Sequence, residues 1–236
     1  MARQPRLFDA PPEDRTSATL QVSESNRSAW AMLRRWTAWP GGALALAGPA
    51  GSGKSHMARA WAEIAGAALW DGEGRALEAF EAAGRRLVID NANRFADEAH
   101  LALLLDAARA GGGAILLVAQ EPPQSWPMAL KDLRSRLAAI PVETLHDPDD
   151  ELLAGVLARL CKARFIKLSD KAATYLTLHM ERSFAAAHAV ADAIDREHVR
   201  GSRPIPVAVA VRALRSMGMN APDPDDEAGE GSPEGT

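Results

Sequence analysis

The chain has 236 residues, 47% of them apolar and 25% charged, which is ordinary globular composition with room for one large domain or two small ones. The formal net charge of −4 is local: residues 220–236 hold six acids (Asp223, Asp225, Asp226, Glu227, Glu230 and Glu234) and no base, and without them the 27 Lys and Arg face 25 of the 31 Asp and Glu. A body so nearly neutral excludes a strongly basic nucleic-acid wrapper, and a single cysteine, Cys161, excludes a disulfide framework or a thiolate metal cluster.

Residues 1–20 are rich in Pro, charge and small polar residues around one apolar pair, Leu7-Phe8, and read as an exposed arm. Nothing in them has the apolar core of a signal peptide, and no later window is long enough to span a membrane, so a soluble cytoplasmic protein is expected. Ser25 or Asn26 can cap a helix running to about Trp39, with Trp30, Leu33 and Trp36 on one stripe. A short apolar run at 43–47 ends in Gly48-Pro49 and reads as a buried strand. A helix over 54–65, a strand over 67–70 and a helix over 75–84 stopped by Gly84 follow. Residues 86–90 read as a strand, Asp97 caps a helix that ends at Gly111-Gly112-Gly113, and strands follow at 114–119 and 140–145. Five apolar strands alternating with helices predict an α/β domain with a parallel sheet covered on both faces.

After His146 the strands stop. Residues 149–164, 170–180, 182–198 and 206–217 read as helices, with Ser169 as a cap and Pro206 in a first turn. The expected organisation is an arm (1–20), an α/β nucleotide-binding domain (21–146), a small all-helical lid (147–219) and a disordered acidic tail (220–236). The six histidines have no paired metal spacing, and Cys161 on an amphipathic helix reads as a small core residue. Arg196, Arg200 and Arg203 cluster near a helix end, a place that favours cations.

The decisive run is Gly48-Pro49-Ala50-Gly51-Ser52-Gly53-Lys54-Ser55, which fits G-x-x-x-x-G-K-[ST] between a strand and a helix. Such glycines let backbone N–H groups curl around phosphate oxygens, and the helix N-terminus adds the positive end of its dipole. Lys54 then supplies charge at the β- and γ-phosphates of ATP or ADP, and Ser55 a hydroxyl ligand for Mg²⁺. Asp90, at the end of the apolar run Leu87-Val88-Ile89, brings a carboxylate to the same edge for the Mg²⁺ shell. Asn91, next in the chain, can hydrogen-bond but cannot accept a proton, so slow hydrolysis by the isolated protein is expected. Gln120 ends the fourth strand, where it can meet the γ-phosphate or simply face solvent.

Beyond the phosphate loop, the stretches 48–56 (ending in His56), 87–92, Gln120 with the EPP after it, 132–137 and 180–184 resemble the AAA+ module of the replication initiator DnaA, over roughly residues 20–219. The acidic tail after the module has no large apolar residue, so a DNA-binding domain like the one that follows the module in DnaA is not expected there. Gln4-Pro5-Arg6-Leu7-Phe8 is similar to the Gln-x-x-Leu-Phe peptide by which bacterial proteins dock on the sliding clamp of the replicative polymerase. Together these features resemble the family of DnaA-related regulatory inactivators.

The resemblance implies that Lys54, Ser55 and Asp90 hold nucleotide and Mg²⁺, and that Gln120 takes the sensor I place. It puts Arg182 in the sensor II place and Arg136 in the place of an arginine finger that acts on a neighbour's phosphates. Arg134 is two residues away, about 200° around a helix, so only one of the two faces a partner. Residues 23–26 are similar to the segment that covers the adenine. The expected partners are DnaA and the sliding clamp, with possible self-association and little direct DNA contact. A self-sufficient P-loop ATPase and a helicase-loader-type adaptor are the rival readings.

Overall fold

The computed structural model describes residues 16–70, 72, 75–197 and 204–223. Gln4, Leu7, Phe8, Arg200, Arg203 and the tail beyond Asp223 lie outside the described residues. The described chain divides into two units, one ending at Asp147 and the other beginning at Pro148.

Short runs of alanine and branched aliphatic residues build a five-stranded sheet in the first unit: β1 (Ala43–Ala47), β2 (Ala68–Trp70), β3 (Arg86–Ile89), β4 (Ala114–Val118) and β5 (Val142–Thr144). Every pairing is parallel, in the order β2-β3-β4-β1-β5, with Ala43 opposite Ile115 and Ala45 opposite Val142. Alternate side chains leave opposite faces. Leu44, Leu46, Val88, Leu116 and Val118 pack with Leu33 of α1 (Glu24–Arg34) and with Met57 and Trp61 of α2 (Lys54–Ala65). Ala45, Leu87, Ile89, Ile115 and Leu117 pack with Phe80 of α3 (Ala76–Ala82), Leu101 and Leu104 of α4 (Glu98–Ala110), and Leu133 and Leu137 of α5 (Lys131–Ala138). Cover on both faces is why the central strands read as unbroken apolar runs.

The second unit is a helical cluster of α6 (Asp150–Ala163), α7 (Asp170–His179), α8 (Phe184–Glu197) and α9 (Val207–Ser216) around Leu153, Leu157, Leu176, Val190, Ile194 and Leu214. Asp149 and Ser169 cap α6 and α7 by accepting from the amides of Leu152 and Ala172. No described helix is long and apolar enough to cross a membrane.

Several elements differ from the sequence reading. Ser23, not Ser25 or Asn26, is the N-cap of α1, and Asn26 serves it from inside the helix, its Oδ1 accepting from the Ser23 amide at 3.0 Å. α1 stops at Arg34 and passes through a short 3-10 turn at Trp36–Ala38 instead of running to Trp39. Pro206 is the N-cap of α9 and not part of its first turn. α5 has no place in the chain-order reading because only Leu133 and Leu137 of its eight residues are buried, too short a stripe to register as a period. Phe165 takes a left-handed conformation (φ 59°) just after α6, the position glycine usually fills, and stands 84% exposed.

Trp61 is completely buried and its ring stacks on Trp39 with centroids 5.0 Å apart. Trp61→Ala is expected to cost about 3–5 kcal/mol of stability in urea unfolding. Cys161 is also fully buried, and desolvation pushes its thiol up to about 11. It should resist iodoacetamide in the native protein at pH 8 and react only on unfolding. Rapid native labelling would mean that α6 opens readily.

Candidate nucleotide site

β1 delivers the chain to its phosphate-binding motif through a tight exit. Gly48 has φ +147°, its amide donates to the Gln120 carbonyl at 3.0 Å, and a Cβ here would stand 2.3 Å from the Leu145 carbonyl oxygen. The loop is thus wedged between the ends of β4 and β5. Gly53 has φ +88° and is the N-cap of α2, with no side chain capping the helix. The amides of Lys54, Ser55 and His56 therefore begin α2 without intrahelical acceptors, beside the positive end of its dipole. This is the donor set that a phosphate group satisfies.

Lys54 is 8% exposed, and its Nζ turns back to donate to the Pro49 carbonyl at 2.5 Å, with Ser52 Oγ at 3.3 Å. Burial lowers its pKa and the Asp90 carboxylate partly offsets that. A buried ammonium held chiefly by neutral oxygens is a fit for an anion of higher charge. Asp90 follows the last residue of β3, and its Oδ1 accepts from the Asn91 amide at 2.9 Å. Ser55 and Asp90 line one cavity of about 260 Å³ with Arg59, Trp70 and Asn91. Among the described residues no group of three or more His, Cys, Asp or Glu could hold a metal ion. An Mg²⁺ at Ser55 and Asp90 would thus need oxygens from nucleotide and water, and would neutralise charge between the β- and γ-phosphates.

The remaining predicted residues divide. Asn91 is exposed with φ 54° and ψ 42°, a left-handed backbone that asparagine tolerates better than most, so its identity serves the turn as well as the chemistry. Gln120 touches the loop through its main-chain carbonyl. His56 points away from the phosphate loop: its Nε2 lies 3.2 Å from Thr19 Oγ1 and 3.3 Å from the Thr16 carbonyl. Residues 23–26 are engaged in capping α1, with Asn26 Nδ2 also donating to the Gln21 carbonyl. Arg182 belongs to the second unit, where it pairs with Asp150 at 2.8 Å. Arg59 was not foreseen. It stands four residues after Ser55, on the same face of α2, and that spacing was the available signal.

Arg136 occupies a different edge. It lies on α5 and lines a second cavity, of about 210 Å³, with Pro40, Ala43, Asp106, Arg109 and Ile140. Ala43 is the first residue of β1, and Ile140 precedes β5. The sheet is parallel, so this is the edge where strands start, whereas Gly48–Ser55 and Asp90 stand where strands end. The length of β1 alone separates the two by on the order of 13 Å. Arg136 is half-buried and Arg134 is exposed, as their angular separation on α5 requires.

This fold has counterparts among solved structures. The fold is that of an AAA+ module. The chain is similar to domain III of the Thermotoga maritima replication initiation protein DnaA, with a TM-score of 0.67 at 15% identity over 87% of this chain and 97% of that one. It is also similar to a DnaA structure bound to AMPPCP and single-stranded DNA, with a TM-score of 0.60 at 15% identity over 79% of this chain and 66% of that one. The Thermotoga maritima RuvB Holliday junction branch migration motor gives 0.63 at 16% identity, over 88% and 74%. The chain spans 65% of the length of another replication initiation factor that it resembles, so the longer initiators carry parts without a counterpart in the match. No protein-family model matches the sequence, and no curated protein is significantly similar to it.

Lys54→Met is expected to weaken ADP and ATP binding about ten- to a hundredfold, the worth of a charged hydrogen bond. Its nucleotide-free form should not unfold at lower urea, because the substitution removes a buried charge whose pKa is already depressed. The Pro49 carbonyl keeps the Ser52 hydroxyl as a donor at 2.9 Å. A lysine with a lowered folded pKa penalises folding fully below that pKa, and the penalty fades as pH rises through the unfolded value of about 10.4. That rise in stability toward high pH should be weaker in Lys54→Met.

Proposed function

We propose that this chain is a regulatory AAA+ protein that binds ADP or ATP with Mg²⁺ and promotes hydrolysis of ATP held by a DnaA-type initiator, in the manner of the regulatory inactivator Hda. Lys54, Ser55, Asp90 and the amides that open α2 hold this chain's own nucleotide, with Gln120 and Arg182 as its sensors. Gln4, Leu7 and Phe8 dock the chain on the DNA-loaded sliding clamp, which raises its effective concentration near the initiator. Arg136 is the finger that meets the neighbour's triphosphate.

The observation that carries this reading is the position of Arg136 at the edge of the sheet remote from Gly48–Ser55. A guanidinium there has no route to its own nucleotide within the α/β unit, and a phosphate it serves must come from outside. Near a transferring phosphoryl group it stabilises the charge that develops on the equatorial oxygens. Asn91, which cannot accept a proton, fits a protein that activates a neighbour more than it turns over itself. The likeness to DnaA domain III supports a partner of similar shape.

The test is ATP hydrolysis by an ATP-loaded DnaA-type initiator with this protein and DNA-loaded clamp. Stimulation should be strong with wild type and should fall by about 10³-fold or more with Arg136→Ala. Full stimulation by Arg136→Ala sinks the reading. In a pull-down on immobilised clamp, Leu7→Ala/Phe8→Ala should lose retention that wild type shows. Substantial turnover by the protein alone would favour the self-sufficient ATPase instead.

A further inference from the structure

Arg136 is not presented bare. Its Nε donates to Asp132 Oδ2 at 2.7 Å and its Nη2 lies 2.6 Å from the same oxygen, one turn earlier on α5. Its Nη1 pairs with Asp106, which reaches across from α4. All three guanidinium nitrogens therefore face carboxylate, and the cluster of two acids and one base carries a net charge of −1. In this arrangement the group offers no positive field to a phosphate approaching from outside, because each nearby carboxylate cancels it over distances beyond the pair. A finger has to leave at least one of these partners before it can act.

Asp132 moves with Arg136 because both are on α5, so their pairing does not depend on how the helices meet. Asp106 is the partner that can be exchanged. It lies on α4, its side chain is about half exposed, and Arg109 follows it three residues later in the last turn of the same helix. Residues at that spacing are neighbours on a helix surface. Asp106, Arg109 and Arg136 all line the cavity of about 210 Å³. Arg109 is exposed and has no ion pair or hydrogen bond to the described residues.

We propose that Asp106 is a two-position latch: it masks Arg136 in the free protein and, when a neighbour's triphosphate enters the cavity, swings to Arg109 and releases the finger. The inference rests on the reading of Arg136 as a finger acting on another molecule. The exchange trades one exposed ion pair for another, so it needs little free energy of its own and is driven by the phosphate that takes Asp106's place. Asp106 and Arg109 are positioning residues here, and neither is asked to touch the reacting atoms.

The latch predicts an epistatic pattern in the hydrolysis assay on an ATP-loaded initiator, titrated with the full chain. Asp106→Asn removes the mask, so the half-saturating concentration should fall roughly two- to fivefold, the worth of an exposed ion pair, with the maximal rate not reduced. Asp106→Glu keeps the carboxylate and should stay close to wild type. Arg109→Gln removes the second anchor, so the half-saturating concentration should rise by a similar factor. The double variant Asp106→Asn/Arg109→Gln should behave as Asp106→Asn alone, since a latch already absent needs no anchor. Loss of stimulation in Asp106→Asn would overturn the proposal and make Asp106 a splint that holds the finger in its working pose. A defect from Arg109→Gln that persists in the double variant would also overturn it, assigning Arg109 to direct phosphate contact. Full stimulation by Arg136→Ala is a separate outcome: it removes the finger itself, whatever the Asp106 variants do.

Discussion

A parallel sheet has two unlike edges, and that polarity governs the α/β unit. Every strand ends on the edge where Gly48, Asp90 and Gln120 leave the sheet, and every strand starts on the edge lined by Ala43 and Ile140. Main-chain donors of α2 point to the first edge, and the guanidinium of α5 stands at the second. In the proposed function, phosphate binding and phosphate activation fall at opposite ends of this one layer. One molecule cannot easily perform both on one nucleotide, whereas two such layers placed edge to edge can.

The phosphate-binding edge is kept ready at some cost to the fold. α2 begins without a capping side chain, three loop glycines have φ between +78° and +147°, and Lys54 is buried against neutral oxygens. Each departs from what would make the nucleotide-free protein most stable. The same groups are what an incoming polyphosphate repays, so local strain and intended ligand are two descriptions of one arrangement.

Much of this was legible in the residues. The strands announce themselves because both faces are covered, and Gly48–Ser55 is specific because glycine, lysine and serine each have a separate task at fixed spacing. Caps were harder. Ser23, Ser25 and Asn26 are all good N-cap residues, and only the reciprocal bond between Ser23 and Asn26 settles which one begins α1. α5 hid because a two-residue apolar stripe carries almost no period. The bracing of Arg136 was beyond reach for another reason: Asp132 lies one turn away on the same helix, but Asp106 is 30 residues distant and meets Arg136 only through the packing of α4 on α5. Asn91 reads in the sequence as a group that cannot accept a proton, and its left-handed backbone supplies a second reason for the residue that composition and spacing do not reveal.

His56 turns its ring outward to Thr16 and Thr19, while Glu63 on the same helix accepts the amide of Ser17 at 2.7 Å. The root of the N-terminal segment is therefore moored to the helix that opens at the phosphate loop. A displacement of Thr16 or Ser17 is thereby delivered directly to the helix that carries Lys54.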